Sequence, residues 1–144
     1  MACCTLFGNR DANPSIENLT EVLKNLILQK GVRTFYVGNQ GNFDRVVRNC
    51  LKKLKLQYPE ICYSVVLAYM PQEKSKYGDI DFSDTIFPDG LEKVPPRYAI
   101  FKRNEWMLNK ADVVVTFVQF HFGGAGTFKE KAQKSGKIVI ELSK

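Results

Sequence analysis

Hydrophobic positions along this chain recur with two periods, and the two alternate. Cys3 to Phe7, Thr34 to Val37, Tyr63 to Ala68, Val113 to Val118 and Lys137 to Leu142 are short runs of β-branched, aromatic and aliphatic residues, the composition of buried strands. Between them apolar residues fall at helical spacing. Ile16, Leu19, Leu23, Leu26 and Ile27 predict a first helix, with Asn13-Pro14 as its cap and first-turn proline and Gly31 as its stop. Phe43, Val46, Val47, Cys50, Leu51 and Leu54 share one face of a second helix that ends before Pro59. Tyr98 to Asn109 and Thr127 to Ser135 predict a third and a fourth. This alternation predicts an α/β, Rossmann-like three-layer fold with a mainly parallel sheet of about five strands. Such sheets bind ligands at the carboxyl ends of their strands, where the strand order reverses.

Met70 to Arg97 breaks the rhythm. It holds Pro71, Pro88, Pro95 and Pro96 among Asp79, Asp81, Asp84 and Asp89. A connection this long predicts a functional loop or lid, with Thr85-Ile86-Phe87 able to form a short strand. The 144 residues otherwise fit one domain spanning 1–144. No apolar run reaches the length of a membrane span, and the N-terminus carries no basic-then-apolar export signal. A cytoplasmic location and no membrane partner are therefore expected. Cys3, Cys4, Cys50 and Cys62 lack C-x-x-C spacing and His121 is the single histidine, so buried reduced thiols and no metal site are expected. The net charge of +6 is spread along the chain, and its densest group, Arg45, Arg48, Lys52, Lys53 and Lys55, reads as the solvated face of one helix. Without a stripe of interleaved basic and aromatic residues, nucleic acid is not expected as a partner.

The strongest chemical signal is strand, then Gly123-Gly124-Ala125-Gly126-Thr127, then helix. Glycines let backbone N–H groups crowd together, and the helix that follows adds its unpaired amides and the positive end of its dipole. That combination suits a phosphate, although a strand-to-helix turn can carry glycines for tightness alone. Other phosphate motifs fail. G-x-x-x-x-G-K-[ST] is absent, and in the dinucleotide pattern begun by Gly124-Ala125-Gly126 the third glycine is replaced by Lys129. The G-x-S-x-G nucleophile elbow and the H-x-E…P-C-x-x-C deaminase set are absent as well.

Longer blocks carry a family likeness. Phe122-Gly123-Gly124-Ala125-Gly126-Thr127-Phe128-Lys129-Glu130 resembles the P-G-G-x-G-T-x-x-E signature of the LOG phosphoribohydrolases, with Phe122 in place of proline. Arg103-Asn104-Glu105-Trp106-Met107 with Ala111-Asp112 resembles their R-K-x-x-M…A-D segment, with Asn104 replacing lysine, and fits the R-N-x-x-M of the YpsA-like proteins directly. Gly8-Asn9-Arg10 resembles the early G-x-R turn of that branch, and Phe35 to Asp44 its second-strand turn ending in G-F-D. Four blocks in this order cover most of the chain outside Met70 to Arg97 and resemble the SLOG superfamily, nearest its YpsA-like branch, with LOG enzymes and DprA as relatives.

The resemblance implies a nucleotide pocket. Its ligand-binding residues would be Gly8, Asn9 and Arg10 after the first strand, Gly38, Asn39, Gln40 and Asp44 after the second, and Gly123, Gly124, Ala125, Gly126 and Thr127. Asn39, Gln40 and Asp44 could read a base edge or ribose, or simply shape the turn, with Asn42 capping the next helix. In LOG enzymes the matching arginine and glutamate cleave the base–ribose bond of nucleoside 5′-monophosphates, which implies catalytic roles for Arg103 and Glu130. One turn beyond Gly126, Glu130 is expected to face the phosphate loop. On residue type alone it is a helix-start acid and Arg103 an exposed helix cation. The leading expectation is binding of a nucleoside monophosphate or an ADP-ribose-like signal, as a sensor or sequestering protein, with no added cofactor and as a homo-oligomer. A LOG-like N-glycosidase and a DprA-like single-stranded nucleic-acid binder are the alternatives.

Overall fold

Seven residues, Ala2–Gly8, form the strand (β1) about which the rest is arranged. The computed structural model describes residues 2–69, 85–119 and 124–142. Helix α1 (Ile16–Gln29) leads to β2 (Val32–Val37), and α2 (Gly41–Gln57) leads to β3 (Cys62–Val66). A two-residue strand, β4 (Thr85–Ile86), a 3-10 turn at Leu91–Lys93 and α3 (Pro96–Lys110) follow. The described chain then runs through β5 (Val113–Phe117), α4 (Gly124–Lys134) and β6 (Ile138–Glu141). The sheet has the order β4-β3-β2-β1-β5-β6 and every pairing is parallel. It has six strands rather than about five, because Thr85 and Ile86 pair with Val65 and Val66.

Both faces of the sheet are covered, as a parallel sheet requires. Cys4 and Leu6 of β1 and Val113, Val115 and Phe117 of β5 join the core under α1 and α2, with Leu19, Leu23, Phe43, Val47 and Leu51. Phe7 and Val114, one residue out of phase, join the core under α3 and α4, with Met107, Phe128 and Ala132. Phe128 has no exposed surface and lies between Phe7 and Phe101, with centroid separations of 5.2 and 5.1 Å. It is the main apolar anchor of α4.

Element boundaries depart from the sequence expectations where caps decide. Helix α1 is capped by Ser15, whose Oγ accepts from the Asn18 amide at 3.2 Å, so Asn13 is not the cap and Pro14 precedes the helix. Helix α3 begins at Pro96, two residues inside the expected lid, with proline where its missing N–H costs nothing. Helix α4 begins at Gly124, so Gly124, Ala125 and Gly126 are its first turn rather than a preceding loop. The remaining part of the expected lid, 70–84, and also His121, Phe122 and Gly123, lie outside the described residues. Among the described residues no helix is long and apolar enough to cross a membrane. All four cysteines are free, but only Cys4 and Cys50 are buried. Cys62 is exposed and Cys3 partly so, which corrects the expectation of four buried thiols.

Because Phe128 carries the contact between α4 and the sheet, Phe128→Ala should destabilise the protein by about 3–5 kcal/mol in urea unfolding. A loss below about 1 kcal/mol would show that α4 is held by other contacts.

Candidate functional site

Strand order reverses at β1, which is flanked by β2 on one side and β5 on the other. A cavity of about 460 Å³ opens at the carboxyl end of β1, within the usual size of small-molecule sites. Its wall combines Gly8, Asn9, Arg10 and Asp11 after β1, Gln40 and Asp44 at the start of α2, Ile100, Arg103, Asn104 and Met107 of α3, and Gly124 and Ala125 of α4. The α3 residues stand at i, i+3, i+4 and i+7, one face of the helix. All four of the blocks singled out in the sequence therefore contribute residues to this wall.

Arg103 is only 3% exposed. Its Nε donates to Asn104 Oδ1 at 2.8 Å and its Nη1 to the Val66 carbonyl at 2.9 Å. Among the described residues its other N–H groups meet no acceptor, and Arg103 is one of the residues lining the cavity. Asn104 is 9% exposed; its Oδ1 is held by Arg103, and its Nδ2 lies nearest the space over Gly124. Burial pushes the Arg103 pKa below its ordinary value, and the Asp44 charge pulls it back. An arginine stays charged throughout the working range. The floor of the cavity thus holds a desolvated cation with unused donors.

Two acids line the wall, Asp11 after β1 and Asp44 in α2, and Asp44 is the one beside Arg103. Its Oδ2 accepts from the Gln40 amide at 2.9 Å, closing the α2 N-terminus. A Cβ on Gly38 would lie 2.5 Å from Asp44 Oδ2 and 2.9 Å from Arg103 Nη1, so Gly38 leaves the space in which acid and guanidinium approach. Burial raises the Asp44 pKa, opposed by Arg103, the Gln40 amide, Arg48 and Arg10. Arg48 Nη1 also donates to the Gly38 carbonyl at 3.3 Å.

The turn after β1 is fastened on two sides. Asn9 Oδ1 accepts from the Gln119 amide, tying it to the segment after β5. The Arg10 carbonyl accepts from the Asn42 and Phe43 amides at 2.8 and 3.3 Å. Gly41, at φ +92°, is the residue that lets Arg10 pack there, and Gly8 has no room for a Cβ beside the Phe43 ring. The first-turn amides of α2 are therefore occupied by protein. In α4, Gly124 and Ala125 lie on the cavity wall, and first-turn amides have no acceptor within their own helix. Glu141 of β6 accepts from the Val118 amide at 2.9 Å and from Lys129 Nζ at 3.1 Å, pinning α4 at this end of the sheet.

Several sequence-predicted residues sit elsewhere. Glu130 is exposed and lies off the cavity wall, on the side of α4 away from Ala125, Phe128 and Ala132. The expectation that it faces the phosphate turn fails because α4 begins at Gly124, which leaves Glu130 in its second turn on the solvent side. Gly38 backs the wall rather than lining it. Asn39 accepts from Gln40 Nε2, and it, Gly126 and Thr127 are not on the wall. Asn104, Met107 and Ile100 were not assigned from sequence, although the i, i+3, i+4, i+7 spacing around Arg103 marks them. No group of three or more His, Cys, Asp or Glu side chains that could hold a metal occurs among the described residues.

The fold recurs in two solved structures. DNA processing protein A (DprA) from Streptococcus pneumoniae superposes with a TM-score of 0.67 at 14% identity, over 97% of this chain and 50% of that one. DprA from Helicobacter pylori superposes with a TM-score of 0.67 at 16% identity, over 99% and 66%. This chain spans half of the first protein and just under two thirds of the second. The likeness establishes the fold and agrees with the SLOG resemblance at that level. No protein-family model and no curated protein matches the chain. The Helicobacter pylori protein is described as having a unique single-stranded DNA binding mode. The exclusion of nucleic acid drawn from charge spacing is therefore overturned: a polymer binder is built on this fold.

Because the Asp44 pKa is raised in the folded state, the native protein holds its proton more tightly than the unfolded chain. The associated stability is fully present below the ordinary aspartate value of 3.8 and is lost as pH rises through the raised value. Asp44→Asn should therefore match wild type at low pH and melt progressively higher than wild type as pH rises. Melting curves of both proteins across that range check this, and a gap that does not widen would show that Asp44 ionises at no cost.

Proposed function

We propose that residues 1–144 form one SLOG-like domain, nearest the YpsA-like branch, that binds a nucleotide or nucleotide-derived ligand such as a nucleoside monophosphate or an ADP-ribose-like molecule. One observation carries the reading: buried Arg103, whose guanidinium has N–H groups without an acceptor among the described residues, lines a 460 Å³ cavity at the strand-order switch. Beside it, Asn104 Nδ2 and the first turn of α4 offer further donors, the set that suits a phosphate. The ligand-binding residues proposed are Gly8, Asn9, Arg10, Gln40, Asp44, Arg103, Asn104, Gly124 and Ala125, with Gly38 behind them. Glu130 is exposed and is not among the lining residues, which supports binding without base release over cleavage.

A second reading is single-stranded nucleic-acid binding, favoured by the fold shared with DprA and by a surface feature of α3 and α4. Arg97 lies over the Tyr98 ring at 4.9 Å and Lys131 over the Phe101 ring at 5.6 Å. Both rings are exposed, and aromatic and cationic groups together suit stacked bases and their phosphates.

A thermal-shift panel of nucleoside monophosphates and ADP-ribose, with chromatography for free base, tests the first reading. A ligand at about 100 times its Kd adds roughly 2.7 kcal/mol of stability. Arg103→Lys, which keeps the charge and loses the planar fork, should weaken binding by about tenfold or more. No shift with any nucleotide would refute the reading. Oligonucleotide affinity that falls steeply with salt, and is unaffected by Arg103→Lys, would favour the second.

A further inference from the structure

The cavity wall is chemically one-sided, and that limits what can lie along it. Asp44, Arg103, Asn104 and Gly124 form a continuous strip. Asp44 and Arg103 both border the space over Gly38, and Asn104 Nδ2 lies nearest the space over Gly124. From Arg103 onward the strip offers donors: the unused guanidinium N–H groups, the Asn104 amide and the α4 amides. Its other end offers a carboxylate. Asp44 spends Oδ2 on the Gln40 amide, and among the described residues Oδ1 has no hydrogen-bond partner.

We infer that Asp44 makes this cavity selective for a nucleotide phosphorylated at one end only, with free O–H or N–H donors at the other, and that it rejects a second phosphate on the sugar. The inference rests on the nucleotide reading above. A phosphate at the α4 end leaves the sugar and base to reach the Asp44 end. Free hydroxyl or amino groups there donate to Oδ1, whereas a phosphate presents only acceptors and negative charge to a carboxylate. An internal nucleotide of a strand carries phosphate on both sides of its sugar, so the same wall accepts a mononucleotide or a strand's 5′ end and excludes the middle of a strand. The surroundings make the carboxylate the deciding group. Arg10 after β1, Arg48 on α2 and Arg103 on α3 are all close enough to influence its charge. Without Asp44 these cations would welcome a second phosphate.

Isothermal titration with adenosine, guanosine, cytidine and uridine 5′-monophosphates and the matching 3′,5′-bisphosphates tests this. At about pH 8, wild type should bind the best monophosphate about tenfold or more tighter than its bisphosphate. In Asp44→Asn, which keeps an acceptor for the Gln40 amide, the ratio should collapse to near one or reverse. Asp44→Ser serves as a second neutral variant, each being used only if its circular dichroism matches wild type. Equal binding of both ligands by wild type overturns the inference alone, as does a preference that survives in a folded neutral variant. Failure of every monophosphate to bind wild type overturns the nucleotide reading, and this inference with it.

Discussion

A guanidinium 3% exposed costs free energy wherever it sits, and the way this protein meets that cost organises the site. Arg103 is held by the Val66 carbonyl at the end of β3, by the Asn104 carboxamide of its own helix and by the charge of Asp44 across the space over Gly38. Those three restraints come from a strand, α3 and α2. The guanidinium is thus fixed relative to both helical layers. Among the described residues part of its donor set meets no acceptor, and Arg103 lines one cavity. A buried cation with part of its donor set unused gains most when an anion arrives, and that is the physical basis of the proposed function.

The N-termini of α2 and α4 both border the cavity, and they are treated differently. The α2 terminus is filled from within: Asn42 and Phe43 amides bond the Arg10 carbonyl, and the Gln40 amide bonds Asp44. The α4 terminus puts Gly124 and Ala125 on the cavity wall. The contrast follows from Gly41, whose positive φ admits the β1–α1 turn against α2. The cavity is therefore polarised, carboxylate at the α2 side and donors at the α3 and α4 sides, before any ligand is considered.

The alternation of strand and helix was legible because each core strand is a dense apolar run and each helix repeats its apolar residues at i, i+3 and i+4. What escaped was whatever depends on a neighbour. β4 is two residues long and exists by pairing with Val65 and Val66, which no local pattern announces. Ser15 rather than Asn13 caps α1 because the helix axis is set by packing of Leu19 and Leu23, and the cap must follow. The glycine run reads as a loop from propensity, yet Gly124 to Gly126 are helical, since burial of Ala125 and Phe128 against the sheet outweighs the entropic preference of glycine for the unwound chain. That three-residue extension moves Glu130 out of the first turn. Arg103 was found through its motif, but Asn104 was read only as a substitution for lysine. Its buried carboxamide takes a role that depends on the fold: one end orients the guanidinium, and the other faces the cavity.

Charge shows the same limit of one-dimensional reading, with consequences for the choice between nucleotide and strand. Along the sequence Arg10, Arg48 and Arg103 are far apart, and Arg48 reads as part of a solvated helix face. In the fold they surround one carboxylate from three elements. Aromatic and basic residues that form no stripe in sequence are likewise brought into pairs on the outer side of α3 and α4, where Lys131 of one helix lies over Phe101 of the other. Net charge therefore says little here; placement decides. A polymer can use the exposed pairs and still be barred from threading the cavity, because a carboxylate at one end of the wall repels the phosphate that continuity of a strand would require. The two proposed readings therefore call on different surfaces: a terminal or free nucleotide would use the cavity, and the bases of a strand would use the aromatic–cationic face outside it.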